Sequence, residues 1–251
     1  MIIERLGARQ AGRMRAAGRV AAATLARVGA ALRPGMSTAE IDRLVRRDTA
    51  ARGARPSQLG YRGFPAAVCT SRNDVVCHGI PRPDEVLAPG DLISVDVTSA
   101  LDGWHGDNCA TWIVGGRGSP EARHVREVAR RCRDAGIAAV RHGARLGDVG
   151  ALIEALAERE GCGVVREVGG HGIGRRMHQP PHVHHFGRPG TGRRLRAGMA
   201  ITIEPIVTLG RPGLTEDPDG WTLRTDDGSP AAQFEHTVLV TRDGAEILTR
   251  A

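Results

Sequence analysis

The sequence predicts an α+β fold built from two related halves. Three observations carry that prediction. The order helix, helix, strands occurs twice along the chain. The halves share residues at matching places: Gly35 through Leu44 resembles Gly143 through Leu152, and His78-Gly79-Ile80 resembles His171-Gly172-Ile173. Third, Leu87-x-x-Gly90-x-x-Ile93-x-Val95-Asp96 resembles Leu195-x-x-Gly198-x-x-Ile201-x-Ile203-Glu204. The repeat, roughly 10–115 and 119–248, is too long for a solenoid and implies a pseudo-two-fold duplication whose equivalent residues converge on a central site.

Each element has its own signal. Ala21, Leu25, Val28 and Leu32 share one face of an N-terminal helix, which Arg33-Pro34-Gly35 stops. Ser37 and Glu40 form a capping box that opens a second helix running to about Ala51. Strands and loops follow from Tyr61 to Val114. Ser119-Pro120-Glu121 opens a third helix with Val125, Val128 and Cys132 on one face, expected to end at Gly143. Val149, Leu152, Ile153 and Leu156 mark a fourth, ended by Gly161. From Val164 to Leu248 strands and turns dominate.

Composition removes several function classes. The chain has 251 residues, 41% hydrophobic and 25% charged, as expected of a globular protein and not of a disordered one. No apolar run approaches the roughly 18 residues a membrane span needs. All 35 basic side chains are arginine, which excludes a Schiff-base lysine, a phosphate-loop lysine and a Ser-Lys dyad. The net charge of +7 supports a weak attraction to polyanions, a ribosomal surface included, but no dense basic run marks a nucleic-acid binder. Five cysteines without a C-x-x-C suggest neither a disulfide framework nor a zinc knuckle, and suit the cytoplasm. The Arg- and Ala-rich start reads as a mature helix, not a transit peptide.

The chemistry lies in misplaced carboxylates. Asp96, Glu204 and Glu235 sit in or beside β-branched runs that should be buried, and Asp107 follows in the first half where Glu235 stands in the second. A buried carboxylate needs a cation, a metal or a raised pKa. Arginines are scarce beside these four, so a metal answers all of them together. Glycine-flanked His171 would join them. One histidine with four carboxylates is an oxygen-rich set suited to Mn²⁺, Fe²⁺, Co²⁺ or Zn²⁺. Five donors crowd a single ion, so two divalent ions about 3.5–4 Å apart are expected.

Eight motifs carry a resemblance that covers nearly the whole chain: Tyr61-Arg-Gly-Phe-Pro65, Asn73-Asp-Val-Val-Cys-His-Gly-Ile-Pro81, Gly90-Asp-Leu-Ile-Ser-Val-Asp-Val-Thr98, His105-Gly-Asp107, Gly170-His-Gly-Ile-Gly174, Thr202-Ile-Glu-Pro205, Asp219-Gly-Trp221 and Gln233-Phe-Glu-His-Thr237. The chain resembles the bacterial type I methionine aminopeptidases, with their pita-bread fold. The resemblance implies one catalytic metallopeptidase domain over 1–251. It implies that Asp96, Asp107, His171, Glu204 and Glu235 ligate the metals, with Asp107 and Glu235 bridging. It implies a metal-bridging water or hydroxide as nucleophile, with Glu204 shuttling its proton. It also implies that His78 and His178 contact substrate, His178 stabilising the oxyanion, while Tyr61, Phe64, Cys69, Met177 and Trp221 line the methionine pocket.

The implied activity is removal of N-terminal methionine from deformylated nascent chains when the second residue is small, by a cytoplasmic monomer. Met177 and Gln58 depart from the family pattern and bear on pocket shape. The cluster His182, His184 and His185 is expected to be a solvated loop with adventitious metal affinity. Two other readings exist. A proline-specific peptidase of the same fold shares the ligands but carries a large extra N-terminal domain, whereas 60 residues precede Tyr61 here. A non-catalytic, ribosome-associated protein of this fold would typically have lost ligands.

Overall fold

The computed structural model of the protein describes residues 3–250. Four helices form: α1 (Ala8–Ala31), α2 (Thr38–Ala51), α3 (Pro120–Ala139) and α4 (Leu146–Arg159). Every strand pairing among the described residues is antiparallel. The order is helix, helix, strands, twice over.

The helix boundaries follow the local chemistry. Ser37 Oγ accepts the Glu40 N–H at 3.3 Å, and the Glu40 carboxylate accepts the Ser37 N–H at 2.8 Å, closing the capping box of α2. Ser119 Oγ accepts the Ala122 N–H at the start of α3. That helix ends at Ala139, not at Gly143. Gly143 instead takes φ +89° in the turn between α3 and α4, where its N–H donates to the Leu195 carbonyl. On α4, Val149, Ile153 and Leu156 are buried but Leu152 is 43% exposed. Leu152 sits about 60° round the helix from Val149, at the margin of the apolar stripe.

The core has two main parts that mirror the halves. Leu25, Val28, Ile41 and Val45 of α1 and α2 pack with Ile93, Val95 and Val97 of the Leu92–Leu101 strand. Val125, Val128, Val149 and Ile153 of α3 and α4 pack with Ile201, Ile203 and Val207. The helices therefore cover the outer faces and leave the inner strand faces towards the molecular centre.

Helix α1 lies very close to the strands behind it. A Cβ on Gly106 would sit 2.6 Å from the Gly18 Cα, and one on Gly18 would sit 2.3 Å from the Leu248 carbonyl oxygen. Only glycine permits that approach.

Candidate metal centre and pocket

The first two carboxylates come from one hairpin. The strands Leu92–Leu101 and Trp104–Ile113 are joined by Asp102-Gly103, both at positive φ (50° and 74°), as a two-residue hairpin turn requires. The register places Asp96 opposite Cys109 and Thr98 opposite Asp107. Residues directly opposite share a face, and alternate residues along a strand share it too. Asp96, Thr98, Asp107 and Cys109 therefore face inward together, while Val95 and Val97 face the helices. Asp96 and Asp107 are diagonal neighbours on that face.

The second half supplies the rest. His171 lies in the short Gly170–Gly172 strand. A Cβ on Gly170 would sit 2.6 Å from the Thr202 carbonyl oxygen, and one on Gly172 2.2 Å from that of Pro180. The flanking glycines thus let this strand press between its neighbours. Glu204 follows directly on the Ala200–Ile203 strand, and Glu235 directly precedes His236–Val240. The halves are tied at the site itself. The Glu235 N–H donates to the Cys109 carbonyl at 2.9 Å. Thr237 Oγ1 accepts the Asp107 N–H and donates to the Asp107 carbonyl.

All five predicted donors converge. One ligand atom each of Asp107, His171 and Glu235 lie within 4.8 Å of one another. His171 Nε2 is 3.7 Å from Asp107 Oδ2 and 3.5 Å from Glu204 Oε1. The His171 Nδ1 lies 3.0 Å from the Gly172 carbonyl. A carbonyl only accepts, so Nδ1 carries the proton and the Nε2 lone pair faces the carboxylates. The acids are held in turn. Thr98 Oγ1 donates to Asp107 at 2.7 Å, and Thr202 Oγ1 to Glu204 at 2.5 Å. Gln58 Nε2 donates to the Asp96 carboxylate (3.2 Å) and carbonyl (2.8 Å), and Gln233 Nε2 to Glu204 (3.4 Å).

Charge is uncompensated here. None of the four acids pairs with an arginine among the described residues. Burial pushes the Glu204 carboxyl up to about 8 and Asp107 up to about 6. Burial, with the neighbouring acids adding to it, pushes Asp96 and Glu235 well above the usual carboxylate range. Burial holds His171 down to about 3, so it is neutral. Glu235 Oε1 is buried with no partner among the described residues. An orphaned carboxylate oxygen, a free imidazole lone pair and three further carboxyl groups around one point fit divalent cations.

A cavity of about 360 Å³ opens beside these donors, and all the predicted substrate residues line it: Tyr61, Phe64, Cys69, His78, Met177, His178 and Trp221. Phe64 and Trp221 meet edge-on at 5.1 Å. Cys69 lies across the strand pair from Asp96. Burial pushes its thiol up strongly, so it stays protonated and presents a small apolar surface to the cavity. His178 Nδ1 is 2.8 Å from the Tyr61 hydroxyl, and its ring meets that of His171 edge-on at 4.2 Å. Burial holds His178 down to about 4. His78 takes φ +57°, a strained backbone setting of the kind that gathers at functional sites.

The sequence reading missed the supports. His185 is not part of a solvated loop. It is 1% exposed, and its Nε2 accepts the Glu204 N–H at 3.1 Å. His182 and His184 alternate with it and are exposed. Strand alternation beyond the Gln179–Val183 strand was the signal that separates them. Thr98, Thr202 and Thr237 each stand two residues from an acid, and that spacing was equally visible.

Comparison with known proteins gives the family. Metallopeptidase family M24 matches residues 12–242. Methionine aminopeptidase A of Synechocystis sp. is 46% identical over 244 residues, covering 97% of this chain and 96% of that protein. The crystal structure of methionine aminopeptidase from Rickettsia prowazekii superposes with a TM-score of 0.96 at 41% identity, over 99% of this chain and 100% of that one. A prolidase from Pyrococcus furiosus shares the fold only, with a TM-score of 0.80 at 19% identity and 65% of its length covered. The pita-bread architecture implied by the resemblance is therefore the one the chain adopts. The chain belongs to the methionine aminopeptidases, divalent-metal-dependent hydrolases of metallopeptidase family M24.

Proposed function

We propose that this chain removes the N-terminal methionine from nascent proteins and peptides whose second residue is small. The observation that carries the reading is the meeting of five metal-ligand side chains with a soft apolar cavity. Asp96, Asp107, His171, Glu204 and Glu235 would hold two divalent ions, Asp107 and Glu235 between them. Such ions acidify a shared water and polarise the scissile carbonyl.

The protein groups do the rest. The cavity lined by Phe64, Cys69, Met177 and Trp221 takes the methionine thioether, which favours sulfur–aromatic and apolar contacts. The free α-amine of the substrate would approach the metal side, which demands a deformylated N-terminus. Glu204, by the family resemblance, would take a proton from the nucleophilic water and pass it to the leaving amine as well as ligate. The Tyr61 hydroxyl lies 2.8 Å from His178 Nδ1; in the tautomer in which it donates there, the imidazole proton sits on Nε2, where it can donate to the developing oxyanion. His78 lines the same cavity and would hold the peptide backbone. Five free cysteines and the absence, among the described residues, of any helix able to cross a membrane support action on nascent chains in the cytoplasm.

The test is a peptide panel with metal reconstitution. Met-Gly and Met-Ala peptides should be cleaved and Xaa-Pro peptides spared. Faster cleavage of Xaa-Pro peptides would favour the proline-specific reading. Metal binding without hydrolysis of either class would favour a non-catalytic role.

A further inference from the structure

The three-histidine run splits into two functions. His185 turns inward to Glu204, while His182 and His184 stay exposed on the opposite face, separated by fully buried Val183. Their rings meet edge-on with centroids 4.3 Å apart. Among the described residues, no hydrogen bond or ion pair engages either imidazole, although the ten-histidine chain bonds most of its other histidines. Both rings line a second cavity of about 410 Å³, walled by Leu146, Pro180, Pro181 and Phe186. His182 also lines the catalytic cavity, so the two spaces share it as a wall.

We propose that His182 and His184 form a separate, nitrogen-donor chelating site for a borderline divalent ion of the Cu²⁺, Ni²⁺ or Zn²⁺ class. Residues i and i+2 of an extended segment project from one face roughly 6.5–7 Å apart, from which two imidazoles can close on one ion at about 2.0–2.1 Å per bond. The edge-on contact already brings the rings together, and rotation about χ2 turns nitrogen lone pairs towards a common point. The adjoining cavity has room for the water ligands that complete the shell. Donor chemistry sets this site apart from the catalytic one. Its cavity is lined by these two imidazoles, the side chain of Arg193 and no carboxylate, whereas the catalytic set is four carboxylates and one imidazole. Nitrogen donors select the later members of the first-row series, so Cu²⁺ and Ni²⁺ should bind and Mn²⁺ should not. His185 takes no part, because its accepting nitrogen is committed to Glu204.

The experiment compares the full chain with a His182→Ala/His184→Ala variant by equilibrium dialysis at equal free Cu²⁺. The catalytic donors are present in both and cancel in the difference. The parent should retain one equivalent of copper more than the variant. The difference electron paramagnetic resonance spectrum should show coupling to two imidazole nitrogens. The same comparison with Mn²⁺ should show no difference. Equal copper content, or a difference signal with fewer than two nitrogens, would overturn the proposal. Both side chains are exposed, so the fold should survive, and matching melting curves check this. The single His184→Ala variant, which should lose most of the extra copper, provides a milder second test.

Discussion

The Glu204 backbone N–H donates to Nε2 of the fully buried His185 at 3.1 Å, so a histidine nineteen positions earlier fixes the entry of the chain into the metal centre. Replacing it by leucine would leave that N–H buried and unpaired, at a cost of about 1–3 kcal/mol. His185→Leu should lower the denaturant midpoint and loosen metal retention, because Glu204 loses its anchor. His185→Gln restores an acceptor and should recover part of both. Metal content and urea titrations of the two variants measure this; equal damage from both would show that the imidazole matters only as volume.

Metal binding should expel protons. Without metal, burial holds the Glu204 carboxyl up to about 8 and Asp107 up to about 6. Ligation requires the ionised forms, so apparent metal affinity should climb between about pH 6 and 8. Calorimetry in two buffers of different ionisation enthalpy reads the protons directly, and none released at pH 7 would contradict the assignment.

The same shifts bear on the stability of the metal-free protein. The folded pKa of Glu204 lies above its ordinary value of 4.5, so its contribution is fully present below that value and is lost as pH rises to about 8. Buried His171 and His185, held down to about 3, act oppositely, but only below about 6.5. From about pH 6.5 to 8 the acids act alone, so Tm of the metal-free protein should fall across that window. Saturating Mn²⁺ should remove the decline and raise Tm, by about 2.7 kcal/mol of stability at one hundred times Kd.

His171 and His178 should separate cleanly, although their rings lie only 4.2 Å apart. His171→Ala removes a ligand and should lose metal and activity together. His178→Ala removes an oxyanion donor, which typically costs about 10²–10³ in kcat, while metal content stays at the parent level. Tyr61→Phe removes the hydroxyl that holds His178 Nδ1 at 2.8 Å and should give a smaller fall in kcat, since the ring is less firmly oriented. A His178→Ala protein that sheds metal like His171→Ala would show these roles to be wrong.

Met177 lines the pocket, and a flexible thioether side chain adapts to its guest. Parent enzyme should therefore process norleucine and leucine measurably beside methionine. Met177→Phe should lower kcat/KM for leucine more than for methionine. An unchanged ratio would remove Met177 from the selectivity argument.

Gly18→Ala and Gly106→Ala should each destabilise by about 1–3 kcal/mol without touching metal content, because the added carbon meets backbone rather than a movable side chain. Thermal melts read the loss. Unchanged Tm in either variant would mean that α1 can retreat from the strands.

Much of this molecule was written in local pattern. The capping box at Ser37 and Glu40 needs only four consecutive residues, and it forms as spaced. Asp96 and Glu204 announced themselves because a carboxylate within a β-branched run is costly unless something compensates it. The repeat then pointed both halves at one centre. Other features depend on contacts between distant segments. Nothing around His185 in sequence tells which way it faces; the fold decides by delivering the Glu204 N–H. The tie between Thr237 and Asp107 spans 130 positions and exists only once the halves close. The exposure of Leu152 at the margin of its stripe, and the termination of α3 four residues before Gly143, were likewise set by packing. The sequence by itself determined the elements and singled out the candidate metal ligands, because propensity and the cost of buried charge act on each residue where it stands. Only the tertiary structure decided which groups hold those side chains in place, because a hydrogen bond needs its partner within about 3 Å and only the closed fold supplies it.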